Sequence, residues 1–187
     1  MREIPVIITG GGSVGLTLAA ELGWRGISCF VAEKSSVLNP HPRANAVANR
    51  TMEYYRRWGI AEAITNAGVP PDHLADYYWV SSLHGRELHR ISLPPFKKIK
   101  EVHDTSGYVK EEHTWSPYLK TITGQNEVER VLLDYVQTLE DVDFRFNYEL
   151  IDHEQDDKGV ICELKDLTTH KTTEMRCEYL LACDGGR

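Results

Sequence analysis

The sequence predicts an α/β fold: a parallel sheet built on a β-turn-α-β unit, an antiparallel meander later in the chain, and short strands and loops inserted between them. Three observations predict it. IPVIIT (residues 4–9) is a short β-branched run of the kind found in buried parallel strands, and the glycine-dense TGGGSVG (residues 9–15) follows at once. A second such run, CFVAE (residues 29–33), closes a unit of about 30 residues, the usual size of a β-turn-α-β unit. Beyond residue 140 apolar and polar residues alternate in runs parted by turn signals.

Each element has a local reason. After the glycines, Val14, Leu18 and Leu22 recur at helical spacing, and Gly26 supplies a stop after Arg25. A loop with Pro40 and Pro42 leads to RTMEYYRRWG, helical up to Gly59, and to a short helix over residues 61–67. Residues 70–120 change character: Tyr77, Tyr78 and Trp79, a turn at His84-Gly85 and the pair Pro94-Pro95 indicate short strands and loops. From Gly124 onward Val128, Val131, Leu132, Tyr135 and Leu139 follow the i, i+3, i+4, i+7 rule of an amphipathic helix. Phe144, Phe146, Tyr148 and Leu150 then alternate as one strand, and a turn follows at residues 156–159. Val160, Cys162 and Leu164 form the next strand, residues 172–177 another, and YLLAC (residues 179–183) a last apolar one. There is no internal repeat and no low-complexity segment.

Composition narrows the function. With 187 residues, 41% hydrophobic and 26% charged, the chain can build a core of ordinary size. A net charge of -7 and a pI near 5.6 argue against nucleic acid, which needs a basic face. No apolar run reaches a membrane span, and the N-terminal run is too short for a signal peptide, so a cytoplasmic location is expected. Cys29, Cys162, Cys177 and Cys183 are widely spaced in apolar surroundings and read as reduced core thiols. Without a C-x-x-C or an H-x-x-x-H, zinc has no support, and without an export signal the sequon at Asn49 is read as chance.

Gly10, Gly12 and Gly15 fit G-x-G-x-x-G in the context that gives this motif meaning. A strand precedes it, a helix follows, and an acid, Glu33, ends the next strand. The first glycine permits the tight turn, the second lets backbone amides approach a pyrophosphate, and the third lets helix and strand pack closely. The helix N-terminus adds unpaired donors and a partial positive charge. Glu33 suits a ribose diol and would repel a 2′-phosphate. The bland alternative is a glycine turn beside a surface glutamate. The residues define a dinucleotide site in a Rossmann-like domain, and the motif alone leaves NAD and FAD both open. A short-chain dehydrogenase is excluded: Val14 and Leu16 occupy its later glycine positions, and no Tyr-x-x-x-Lys pair exists. A meander also stands where an NAD domain would repeat its βα units.

Taken with PRANAVANRTMEYYRRWGI (residues 42–60), TGQNEVERVLLDYV (residues 123–136) and CDGG (residues 183–186), the glycine loop resembles that of the FAD-dependent aromatic hydroxylases. These are the single-component flavoprotein monooxygenases of the para-hydroxybenzoate hydroxylase and phenol hydroxylase type. The resemblance runs in order over most of the chain and is thinnest at residues 70–120. It implies that Gly10, Gly12, Gly15 and Glu33, with their neighbours Ser13, Val14 and Lys34, bind the ADP half of FAD. It implies that Arg43 lies beside the flavin and diphosphate, that Gln125 faces the cofactor, and that Asp184 and Gly185 meet both FAD and NAD(P)H. It implies FAD-binding parts at residues 1–72 and 121–187, and a partial substrate region at 73–120. The activity implied is NAD(P)H-dependent hydroxylation of a small phenolic substrate with O2. A reductase or dehydrogenase of the same fold and a non-catalytic nucleotide-binding remnant are the alternatives. His84, His89, His103, His113, Tyr77 and Tyr78 lie in the inserted stretch, and none is assigned as catalytic. Because the family continues past its Asp-Gly motif, the chain is expected to be the front part of a longer enzyme, incompetent alone.

Overall fold

A computed structural model describes residues 1–73, 76–95, 97–98 and 116–186; His103 and His113 lie outside the described residues. Compactness divides the chain into two units, Met1–Arg43 with Gln125–Arg187, and Ala44–Gly124.

The first unit is organised by β1 (Arg2–Thr9), α1 (Ser13–Trp24) and β2 (Cys29–Glu33). Val6, Ile7 and Ile8 are each at most 5% exposed, so β1 is buried on both faces, as a central parallel strand must be. Gly26 ends α1 as the sequence predicts. At φ +71 it sends its amide to Gly23, while the Ile27 amide returns to Leu22, which together make a Schellman motif.

In the second unit Gly59 (φ +79) closes α2 (Asn49–Arg57) in the same way, and α3 (Ala61–Asn66) follows. The buried Thr123 hydroxyl donates to the Ile64 carbonyl at 3.0 Å, tying the returning chain to α3. The hairpin of β3 (Tyr77–Val80) and β4 (Glu87–Ile91) carries half-exposed Tyr77, Tyr78 and Trp79. His89 stacks on Trp79 there, and His84 is exposed in the connecting turn.

Back in the first unit, α4 (Gln125–Val136) buries Val128, Leu132 and Val136 and packs on α1. Then come β5 (Val142–Phe146), β6 (Tyr148–Asp156), β7 (Gly159–Asp166) and β8 (Thr172–Ala182). The sheet order is β5-β2-β1-β8-β7-β6. The first four strands are parallel and the last three form the antiparallel meander, with β8 common to both.

Two strand assignments are corrected. The alternating run from Phe144 to Leu150 is not one strand. Asn147 takes φ 58, a left-handed conformation that asparagine tolerates, and the chain passes from β5 at one edge of the sheet to β6 at the other. The Asn147 amide donates to Ser35 and its carbonyl accepts from Leu167, so the break is held from both sides. Conversely, residues 172–177 and 179–182 belong to one strand, β8, which ends just before Cys183. It pairs with β7 through its first half and with β1 along most of its length.

One core cluster joins Ile7, Phe30 and Ala32 to Val160, Cys162, Leu164, Met175 and Cys177, so the meander strands cover one face of β1 and β2. Burial pushes the Cys29 thiol up to about 11 and that of Cys162 up to about 12, which makes both inert packing groups. At the meander's edge Arg176 grips Asp156 through two bonds of 2.9 Å and holds that carboxyl down to about 2. No helix among the described residues is long and apolar enough to cross a membrane.

Candidate functional site

The glycine loop leaves β1 at the carboxyl end of the parallel strands, where ligands of open α/β sheets bind. It is pinned from two sides: the Gly10 amide donates to Ala32 on β2 at 2.8 Å, and the Cys183 amide donates to Thr9 at 2.7 Å. The four glycines then differ in what a side chain would meet. At Gly10, with φ +97, a β-carbon would lie 2.5 Å from the Cys183 carbonyl oxygen and 2.7 Å from the Asp184 Cα. At Gly15 it would be driven into the Gly10 carbonyl, and at Gly11 it would lie 2.7 Å from the Phe144 ring and 2.9 Å from the Glu33 β-carbon. At Gly12 the nearest atom is a Glu129 oxygen 3.7 Å away. Gly10, Gly11 and Gly15 therefore let the protein pack on itself, and Gly12 alone opens onto space another molecule can use.

The donors around that space are free. Gly12 is the N-cap of α1 and makes no side-chain cap bond. Among the described residues no acceptor meets the amides of Gly12, Val14 or Gly15, whereas the Gly11 amide is taken by Glu33 and the Ser13 amide by Glu129. Unpaired amides on a positive helix end, beside a position without a Cβ, fit a diphosphate.

Glu33 ends β2 with its carboxylate held by two backbone amides, Gly11 at 2.5 Å and Ser35 at 2.8 Å. Phe146 is its register partner on β5, and Phe144 stacks edge-on against Phe146 at 4.9 Å, which walls this end of the strands with aromatic surface. Val14 is 67% exposed on the first turn of α1, and Lys34 is exposed. Gln125 opens α4 and donates to Glu129 Oε1 at 2.7 Å. Asp184 lies against Gly10, and Gly185 follows with φ +89 and open space around it. Arg43 sits on the exposed loop after β2 with no hydrogen bond or ion pair among the described residues, so the structure does not join it to the glycine loop.

Sequence reasoning missed Glu129. It is 3% exposed and accepts bonds from the Ser13 amide, the Ser13 hydroxyl and Gln125. The signal was present: residues 125, 128, 129 and 132 share one helical face, and an acid stands in that stripe among residues that the helix buries.

Fold and site thus define an α/β domain with an open glycine and unpaired backbone amides at the start of its first helix. The family described as FAD binding domain matches residues 3–187. The 3-(3-hydroxy-phenyl)propionate/3-hydroxycinnamic acid hydroxylase of Comamonas testosteroni is 30% identical over 98% of this chain and 28% of its own length. Phenol 2-monooxygenase of Pseudomonas sp. (strain EST1001) is 28% identical over 99% of this chain and 29% of its own length. Among solved structures, the flavin-dependent monooxygenase PieE in complex with FAD and substrate matches with a TM-score of 0.87 at 29% identity, covering 99% of this chain and 31% of that one. The chain belongs to the FAD binding domain family, and the resemblance to the aromatic hydroxylases is borne out. It spans about a third of the length of the curated relatives it matches.

Proposed function

We propose that this chain is the FAD-binding part of an NAD(P)H-dependent flavoprotein monooxygenase that hydroxylates a small phenolic substrate with O2. The observation that carries the reading is the open cradle at Gly12, with the unclaimed amides of Gly12, Val14 and Gly15 beside it. Those amides would hold the diphosphate, and Ser13 lies among them. Glu33 would accept from the ribose diol, with Lys34 at its side. Gln125 would meet the flavin half, and Arg43 would add a fixed positive charge toward the diphosphate. Asp184 and Gly185, at the end of β8, would approach the cofactor from the strand side and serve the NAD(P)H encounter.

Bound FAD supplies the electron chemistry; the chain's own residues bind it, orient it and keep water away. Residues 1–72 and 121–187 carry this role, and residues 73–120 contribute to the substrate side. The names of the relatives, a phenol monooxygenase and a hydroxyphenylpropionate hydroxylase, support an aromatic substrate. Four free cysteines, three of them buried, support a reducing cytoplasmic setting.

The test is a titration of the purified chain with FAD, followed by quenching of flavin fluorescence, with NAD as competitor. Saturable binding that a large excess of NAD leaves in place is the expected result. Equal competition by NAD, or no saturable binding by the folded chain, would overturn the reading.

A further inference from the structure

Glu129 is a buried charge that the reading above leaves without a role. A carboxylate removed from water costs several kcal/mol unless its charge is met. Here one oxygen, Oε1, accepts from the Ser13 amide at 3.0 Å, the Ser13 hydroxyl at 2.7 Å and Gln125 Nε2 at 2.7 Å. The positive end of α1 and these charge-assisted bonds offset the desolvation. The N-cap of α1 is a glycine, which has no side-chain oxygen to offer, so an acid from another helix meets the Ser13 amide instead.

Two consequences bear on a ligand. By claiming Ser13, Glu129 sorts the donors at the start of α1, leaving Gly12, Val14 and Gly15 for an anion. It also sets the Gln125 amide. A carboxylate accepts only, so the atom facing it is Nε2, and Gln125 Oε1 is left as an acceptor. Coulomb's law alone makes a negative charge beside a diphosphate a hindrance, so the residue's place must be earned by geometry.

Resting on the FAD reading, we infer that Glu129 is a positioning residue for the cofactor, acting through Ser13 and Gln125. The test is the dissociation constant for FAD, read from flavin fluorescence, in the full chain carrying Glu129→Ala, Glu129→Gln, Gln125→Ala, and Glu129→Ala with Gln125→Ala. Each variant's thermal melt is recorded without FAD. Glu129→Ala weakens binding about tenfold, the value of one charge-assisted hydrogen bond. Glu129→Gln keeps an oxygen in place and stays within about threefold of the unaltered chain. The double variant binds about as weakly as Glu129→Ala alone, because residues that act through one another are not additive.

Additive losses, unaltered binding in Glu129→Ala, or tighter binding in both Glu129→Ala and Glu129→Gln, the mark of charge alone, would each overturn the inference. Should Glu129→Ala not fold, Glu129→Asp, which keeps the charge but shortens its reach, carries the same expectation. Loss of the fold in both would assign the residue a purely structural role and overturn it too. If the unaltered chain binds no FAD, the functional reading falls with it; if it binds and the variants match it, only the role of Glu129 falls.

Discussion

Gly12→Val is expected to abolish FAD binding and leave the fold nearly as stable as before. Gly12 has φ -78 and ψ -171, extended backbone that any residue adopts, and the nearest atom to an added β-carbon is 3.7 Å away. The protein itself has no objection to valine there. At an N-cap without a side-chain bond the stability change should be about 1 kcal/mol or less. The two γ-carbons, however, would fill the space beside the free amides of Gly12, Val14 and Gly15. We expect FAD affinity to fall at least about a hundredfold, or ~2.7 kcal/mol. Fluorescence titration and a thermal melt of the same preparation read both halves. Retained affinity would mean that the space at Gly12 does not hold the cofactor.

Gly15→Val should do the opposite. Its β-carbon would be driven into the Gly10 carbonyl oxygen, backbone against backbone, where α1 crosses the end of β1. Neither partner can turn aside as a side chain would. Gly10 is itself fixed by its bond to Ala32 and by the Cys183 carbonyl pressed against it. Overpacking of this kind costs about 3 kcal/mol or more. For a chain of this length that lowers the melting temperature by roughly 6–12 °C. The loss should appear without any cofactor present. An unshifted melt would mean that α1 slides away from β1 at little cost. The matched pair separates a glycine kept for a ligand from one kept for packing, the division of roles that the motif implies and that the space around each β-carbon position supports.

The sequence announced those parts of the fold that rest on neighbouring residues. β1, the glycine loop, α1 and β2 follow from local apolar runs and spacing, and Gly26 and Gly59 marked the helix ends that they close. What it obscured depends on partners far along the chain. Asn147 breaks an unbroken period-2 alternation, because the choice between edges of the sheet is made by Ser35 and Leu167. The sequence of β8 reads as two strands, because its two halves differ in composition; pairing with β1 along most of its length makes it one. Glu129 does not stand out in the sequence, because a lone acid in a helix is usually solvated, and its burial depends on Ser13 of α1, far along the chain, together with Gln125. Asp184 was picked out by resemblance, and the geometry adds a physical reason: its Cα lies against Gly10.

The most direct test of the central claim is an amide nuclear magnetic resonance titration of the isotope-labelled chain with FAD. The backbone amides of Gly12, Val14 and Gly15 are expected to shift to saturation at one equivalent, with Gly11, already bonded to Glu33, shifting less. Saturable shifts that leave these three amides unmoved and gather elsewhere, on the β3–β4 hairpin for instance, would contradict it.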